Sequence, residues 1–171
     1  FDLDQTLGCF NEIGIFWSAL NKIMNYNTNR QFFEVMNTFP EFLRPKILTL
    51  IKTILDKKQC EKCDKIVIYT NNSGPKEWVQ MIADYFEHLF DERVFEIIYA
   101  FKHHDNVNDP CRTSANKNTR DLLCCAKVMP GTKICFFDDI YHPLMKVPNV
   151  YYIKIKPFYY SLPYRVMAER Y

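Results

Sequence analysis

The chain has 171 residues, enough for one ordinary domain with a full core. Its 48% apolar and 25% charged residues are a soluble globular balance, and a net charge of +2 gives no footing for a nucleic-acid or anionic-membrane partner. No apolar run approaches the ~18 residues of a membrane span, and seven cysteines, an odd number, point to a reducing, intracellular compartment rather than a disulfide scaffold.

The first stretch is Phe1-Asp2-Leu3-Asp4-Gln5-Thr6-Leu7-Gly8. Side chains at i and i+2 share one face of a strand, so Asp2 and Asp4 set two carboxylates side by side where a strand runs out. Two such groups repel unless a cation or a shared proton relieves them. A hard divalent ion with oxygen ligands, Mg²⁺ above all, meets that need. Only Phe1 precedes Asp2, and there is no initiator Met, so a strand-forming segment is expected to be missing upstream.

After Gly8, residues 10–26 carry Ile13, Phe16, Trp17, Leu20, Ile23 and Met24 at helical spacing. Gln31 to Met36 reads as a short second helix. Pro45 then leads into a helix over Ile47 to Leu55, in a first turn where its missing N–H costs little. Cys60-Glu61-Lys62-Cys63 is a lone Cys-x-x-Cys with no second pair at zinc spacing.

Ile66-Val67-Ile68-Tyr69 has the continuous apolar character of a buried parallel strand. It ends in Thr70-Asn71-Asn72-Ser73-Gly74-Pro75, where Ser73 or an Asn can cap the next helix, and Trp78, Ile82, Tyr85, Phe86 and Leu89 mark that helix's buried face. A strand, a small polar turn and a helix N-terminus make an anion site.

Val94 to Phe101 reads as another strand, followed by a polar loop over 102–116 that holds His103, His104, Cys111 and Arg112. Its length suggests function. The histidines and cysteine lack metal-ligand spacing, leaving substrate recognition by Arg112 or the histidines beside a simple solvated loop as alternatives. A helix starts near Asn116 and contains Cys124 and Cys125, read as buried free thiols. Ile134-Cys135-Phe136-Phe137 is a strand that delivers Asp138-Asp139 at its end. Val150 to Ile155 is the last strand, and residues 156–171 form an aromatic tail over the outside of the core.

Strands alternating with helices define an α/β class with a parallel sheet flanked by helices. Ligands bind such sheets beyond the carboxyl ends of the strands. Asp2, Asp4, Thr70, Asp138 and Asp139 all fall at such ends, which is the internal argument for one site.

These segments also carry a resemblance. Asp-Leu-Asp-Gln-Thr-Leu over Asp2 to Leu7 resembles the first motif of the haloacid dehalogenase (HAD) superfamily. It looks most like the branch of NLI-interacting-factor and polymerase C-terminal-domain phosphatases, with Gln5 where that branch has Glu. Thr70 matches the second motif, Lys117 the third and Asp138-Asp139 the fourth. Leu43-Arg44-Pro45 resembles the Leu-Arg-Pro segment of the same branch. Lys127 and Lys133 compete with Lys117, and Arg120 less so. Ile140-Tyr141-His142 replaces a single Ser before Pro143, a departure that changes the following loop.

The resemblance implies one HAD-like domain over residues 1–171, Rossmann-like, with 9–41 as a helical cap-like insertion. It implies a Mg²⁺-dependent phosphatase acting through an aspartyl phosphate, with a phosphoprotein as substrate. Asp2 would be the nucleophile and Asp4 the acid and base. Thr70, Asn71 and Lys117 would hold the phosphate. Asp2, the Asp4 backbone carbonyl and the Asp138-Asp139 pair would hold the metal, either or both of the pair binding directly. A nucleotide or small-molecule phosphatase and a catalytically idle binding domain are the alternatives. The Asn-, Lys- and Phe-rich insertion suggests an AT-rich genome such as that of a large DNA virus.

Overall fold

The computed structural model describes residues 1–26, 28–102 and 110–171. Among them, helices α1 (Asn11–Met24), α2 (Asn29–Thr38) and α3 (Ile47–Gln59) precede the first strand, β1 (Val67–Tyr69). Then come α4 (Lys76–Phe90), β2 (Glu96–Ile98), α5 (Thr119–Cys125), β3 (Ile134–Asp138), β4 (Val150–Lys154) and α6 (Tyr164–Arg170). The class is mixed α/β. Its strands form two small parallel pairs, β1 with β2 and β3 with β4.

The first two residues lie between those pairs. Phe1 N donates to Val67 O at 2.8 Å and Tyr69 N to Phe1 O at 2.7 Å, the slanted exchange of a parallel ladder. On the other side Asp2 N donates to Phe137 O at 2.8 Å, and the Phe1 and Phe137 rings stack with centroids 4.7 Å apart. The hydrogen-bonding order is therefore β2, β1, Phe1-Asp2, β3, β4, and Asp2 stands in the middle of it.

A tight turn follows. Gln5 takes a left-handed φ of 59°, and its N–H donates to Gly8 O at 2.7 Å. Gly8 is required by proximity, since a Cβ there would lie 2.6 Å from both the Phe42 carbonyl oxygen and the Phe10 ring. Arg44 secures the turn from outside, with Nε donating to Thr6 O at 2.7 Å and Nη2 to Gln5 O at 2.5 Å and Lys156 O at 2.8 Å.

Residues 9–41 are built into the main core. Phe32, Val35, Met36 and Phe39 are buried in one cluster with Leu3, Leu7, Ile51, Ile82 and Phe86. The Phe32 ring meets Trp78 of α4 edge-on at 5.4 Å, and Tyr85 OH donates to Asn37 Oδ1. Helix α2 begins two residues before the expected Gln31, because Thr28 and Gln31 close a capping box.

Several expectations need correction. Ile23 and Met24 are exposed, since α1 ends beside them at a left-handed Asn25. The strand expected over 94–101 is only Glu96–Ile98. Helix α4 takes Pro75 as its N-cap with no side-chain cap, because Asn72 Oδ1 accepts from Gly74 N in a local turn instead. Leu89 is exposed, and Val79 and Ala83 join the buried face.

Cys124 is exposed and Cys125 is bonded to Cys111, so neither is a buried free thiol; Cys9, Cys60, Cys63, Cys124 and Cys135 are free. The tail contains a helix absent from the sequence reading. Met167 of α6 is fully buried, and Arg170 forms a two-pronged pair with Glu41 at 2.7 and 3.1 Å. Among the described residues no helix is long and apolar enough to cross a membrane.

Candidate active site

Three separated segments converge at Asp2. Carboxylate oxygens of Asp2, Asp138 and Asp139 lie within 4.8 Å of one another, and all three residues are buried. Lys117, only 2% exposed, donates from Nζ to Asp2 Oδ1 at 2.5 Å and to Asp138 Oδ2 at 2.7 Å. It sits one residue before the N-cap Asn118 rather than inside the helix. That position frees its side chain to run inward, over the Tyr69 and Phe136 rings. Neither Lys127 nor Lys133 is buried.

Thr6 Oγ1 donates to Asp139 Oδ1 at 3.1 Å. Asp138 accepts from Ile140 N at 2.8 Å, and His142 Nε2 lies 3.3 Å from its Oδ2. Tyr152 OH accepts from His142 N and donates to Ile140 O, which sets the loop that replaces the single Ser of the resembled motif.

The Asp4 carboxylate is not part of the acid cluster. Its Oδ2 accepts from Asn72 Nδ2 at 2.8 Å, while Oδ1 is buried with no hydrogen-bond partner among the described residues. Thr70 is 1% exposed and its hydroxyl oxygen accepts from Asn72 N at 2.9 Å, leaving the hydroxyl proton to donate. Asn71 is exposed at its side, and its Oδ1 accepts from Arg112 Nη1 at 2.8 Å.

Arg112, by contrast with a solvated loop residue, is 3% exposed and bonded to backbone on three sides. His103 and His104 lie outside the described residues.

Burial dominates the acidities. It pushes the Asp2 carboxyl up to about 6 against the pull of the Lys117 ammonium, and the Asp138 charge adds to the rise. Asp4 is also raised by burial, in part offset by the Asn72 hydrogen bond. Burial works the same way on Asp138, but His142, Lys117 and the Ile140 N–H together hold its carboxyl below the ordinary value. One fold thus gives neighbouring carboxyls opposite tendencies.

A divalent cation fits this set. Three buried carboxylates gather around one buried lysine ammonium, an excess of negative charge that burial makes costly. The donors are hard oxygens, the class that Mg²⁺ prefers. Asp4 enters such a set only through its backbone, since its carboxylate is outside the cluster.

Sequence reasoning did not single out Asn72, His142 or the contact of Thr6. The signals were thin: Asn72 stands two residues from Gly74, a spacing that fits an Asx turn, and His142 stands four residues from Asp138. Comparison with protein-family models, curated proteins and solved structures finds no match to this chain.

Proposed function

We propose that the protein is a Mg²⁺-dependent phosphatase of HAD type, with a Rossmann-like core and residues 9–41 as an insertion packed into it. The observation that carries the reading is the convergence of Asp2, Lys117 and the Asp138-Asp139 pair, from three distant parts of the chain, on one buried point.

In this reading Asp2 attacks the phosphorus of a phosphomonoester through its carboxylate. The bond to the ester oxygen breaks as the bond to Asp2 forms, and Asp4 gives its proton to the departing oxygen. Asp4 then takes a proton from water, which attacks the aspartyl phosphate and releases inorganic phosphate with Asp2 restored. The unpartnered Asp4 Oδ1 and the upward shift of that carboxyl's pKa by burial suit a group that must hold and return a proton.

Thr70, the Asn71 amide and Lys117 hold the phosphate oxygens, and Lys117 also steadies the Asp2 carboxylate. Asp2, the Asp4 carbonyl and the Asp138-Asp139 pair would hold Mg²⁺, which when bound offsets the repulsion between an anionic nucleophile and an anionic substrate.

The test is hydrolysis of p-nitrophenyl phosphate with Mg²⁺. Activity that disappears in EDTA and returns with added Mg²⁺ supports the reading, while a folded protein with no turnover contradicts it and favours an idle binding domain. A phosphopeptide panel run beside a nucleotide panel then selects the substrate class, for which we expect phosphopeptides to be preferred.

A further inference from the structure

Arg112 is a buried charge, 3% exposed, whose acceptors among the described residues are all neutral. Its Nη1 donates to Thr70 O at 3.0 Å, Asn71 Oδ1 at 2.8 Å and Tyr99 O at 3.3 Å; Nη2 donates to Ala115 O at 3.1 Å. The guanidinium lies 4.7 Å from the centroid of the Tyr69 ring, and Nε is buried with no hydrogen-bond partner among the described residues. Burying a cation among neutral oxygens costs stability, so core packing alone gives no reason to keep one there.

The acceptors of this cation share a location. Thr70 and Asn71 form the turn after β1, and Ala115 lies two residues before Lys117. One rigid fork therefore joins the turn that faces the phosphate to the segment that delivers the buried lysine. That segment is itself held firmly. Cys111 is bonded to Cys125, Asp121 accepts from both Thr113 N and Thr113 Oγ1, and Asn118 N donates to Tyr69 OH.

We infer that Arg112 is a positioning residue for phosphate: it fixes the Thr70-Asn71 turn against the Lys117 segment, so that hydroxyl, amide and ammonium meet one phosphoryl group. Its part is to hold that turn through Thr70 O and Asn71 Oδ1 and the Lys117 segment through Ala115 O. The inference rests on the phosphatase reading, but its test includes a binding measurement that does not.

The experiment compares wild type with Arg112→Lys and Arg112→Ala in the full chain. Lysine keeps the charge and loses the fork. Both variants should weaken binding of inorganic phosphate and raise KM for p-nitrophenyl phosphate by about 10- to 100-fold, the usual effect of removing an outer partner of a site. Arg112→Lys should be the milder. A merely structural role would lower the melting temperature and the amount of active protein, with KM and phosphate affinity unchanged in the folded fraction.

Should Arg112→Ala fail to fold, Arg112→Lys carries the comparison. An Arg112→Lys protein with wild-type KM and phosphate affinity overturns the assignment and leaves the phosphatase reading standing. A wild type that binds phosphate without hydrolysing ester removes the function, and the phosphate titration still decides the role of Arg112. A wild type that does neither overturns both.

Discussion

The two halves of the site are held by different physics. On one side Lys117 is bonded directly to Asp2 and Asp138 with Asp139 close by, all of them buried, so their arrangement is set by electrostatics in a medium that screens poorly. On the other, Thr70, Asn71 and Asn72 are neutral, and hydrogen bonds from Arg112 and to Asp4 set their geometry. The difference teaches where sensitivity should lie. Removing the shared Lys117 ammonium from the first half should cost chemistry and stability together, whereas loosening the second should cost alignment.

The largest effect is expected at the centre of the charged half. Asp2→Asn should lower turnover of p-nitrophenyl phosphate by at least about 10³-fold, as loss of a nucleophile does in other covalent mechanisms. Near-normal activity in that variant would show the nucleophile to be wrongly assigned. Lys117→Met comes next, because it leaves Asp2 and Asp138 facing each other without their shared ammonium. Urea denaturation in EDTA should show a loss of about 3–5 kcal/mol, typical of breaking a buried ion pair. A loss no larger than that of Asn72→Ala would erase the contrast between the halves.

Asn72→Ala tests the neutral half. It removes the bond to Asp4 Oδ2 and the local turn at Gly74, and should cost about 1–2 kcal/mol of transition-state stabilisation, roughly tenfold in kcat. Because that bond favours the ionised carboxylate, its loss should move the Asp4 limb of the pH profile upward. A profile unchanged in position would separate Asn72 from Asp4.

A further effect is one of pH on the metal-free protein. Asp2 rises from 3.8 to about 6 on folding, so the folded state holds its proton where the unfolded chain has released it. The stability this contributes is fully present below about 3.8 and is lost as pH climbs through about 6. Asparagine mimics the protonated form. In EDTA, the melting temperature of Asp2→Asn relative to wild type should therefore increase between pH 4 and pH 7, and added Mg²⁺ should raise the wild-type value more at pH 7 than at pH 4. A difference that is flat with pH would contradict the assigned cost of burying this carboxylate.

Much of the architecture was legible because it rests on local pattern. The apolar runs at 66–69 and 134–137 give the strands β1 and β3, the second only partly buried with Cys135 exposed, and each ends at the residues that face the site. What the pattern could not supply were contacts made by folding. Lys117, Lys127 and Lys133 look alike in sequence; only the N-cap at Asn118 and the aromatic walls of Tyr69 and Phe136 turn the first of them inward.

Arg112 reads as a polar loop residue because three of its four acceptors are backbone oxygens, to which sequence is nearly blind. Helix α6 has seven residues and a single buried anchor, Met167, too little for periodicity to register. The disulfide between Cys111 and Cys125 joins a loop to a helix end, and seven cysteines offer many other pairings.

The most direct measurement is chemical capture at Asp2. Protein mixed with a phosphomonoester and Mg²⁺, quenched and reduced with borohydride, should contain homoserine in place of Asp2 when the peptides are read by mass spectrometry, and should not when EDTA is present. Turnover with the captured group on another residue, or with Asp2 unmodified under conditions that trap acyl phosphates, would contradict the account.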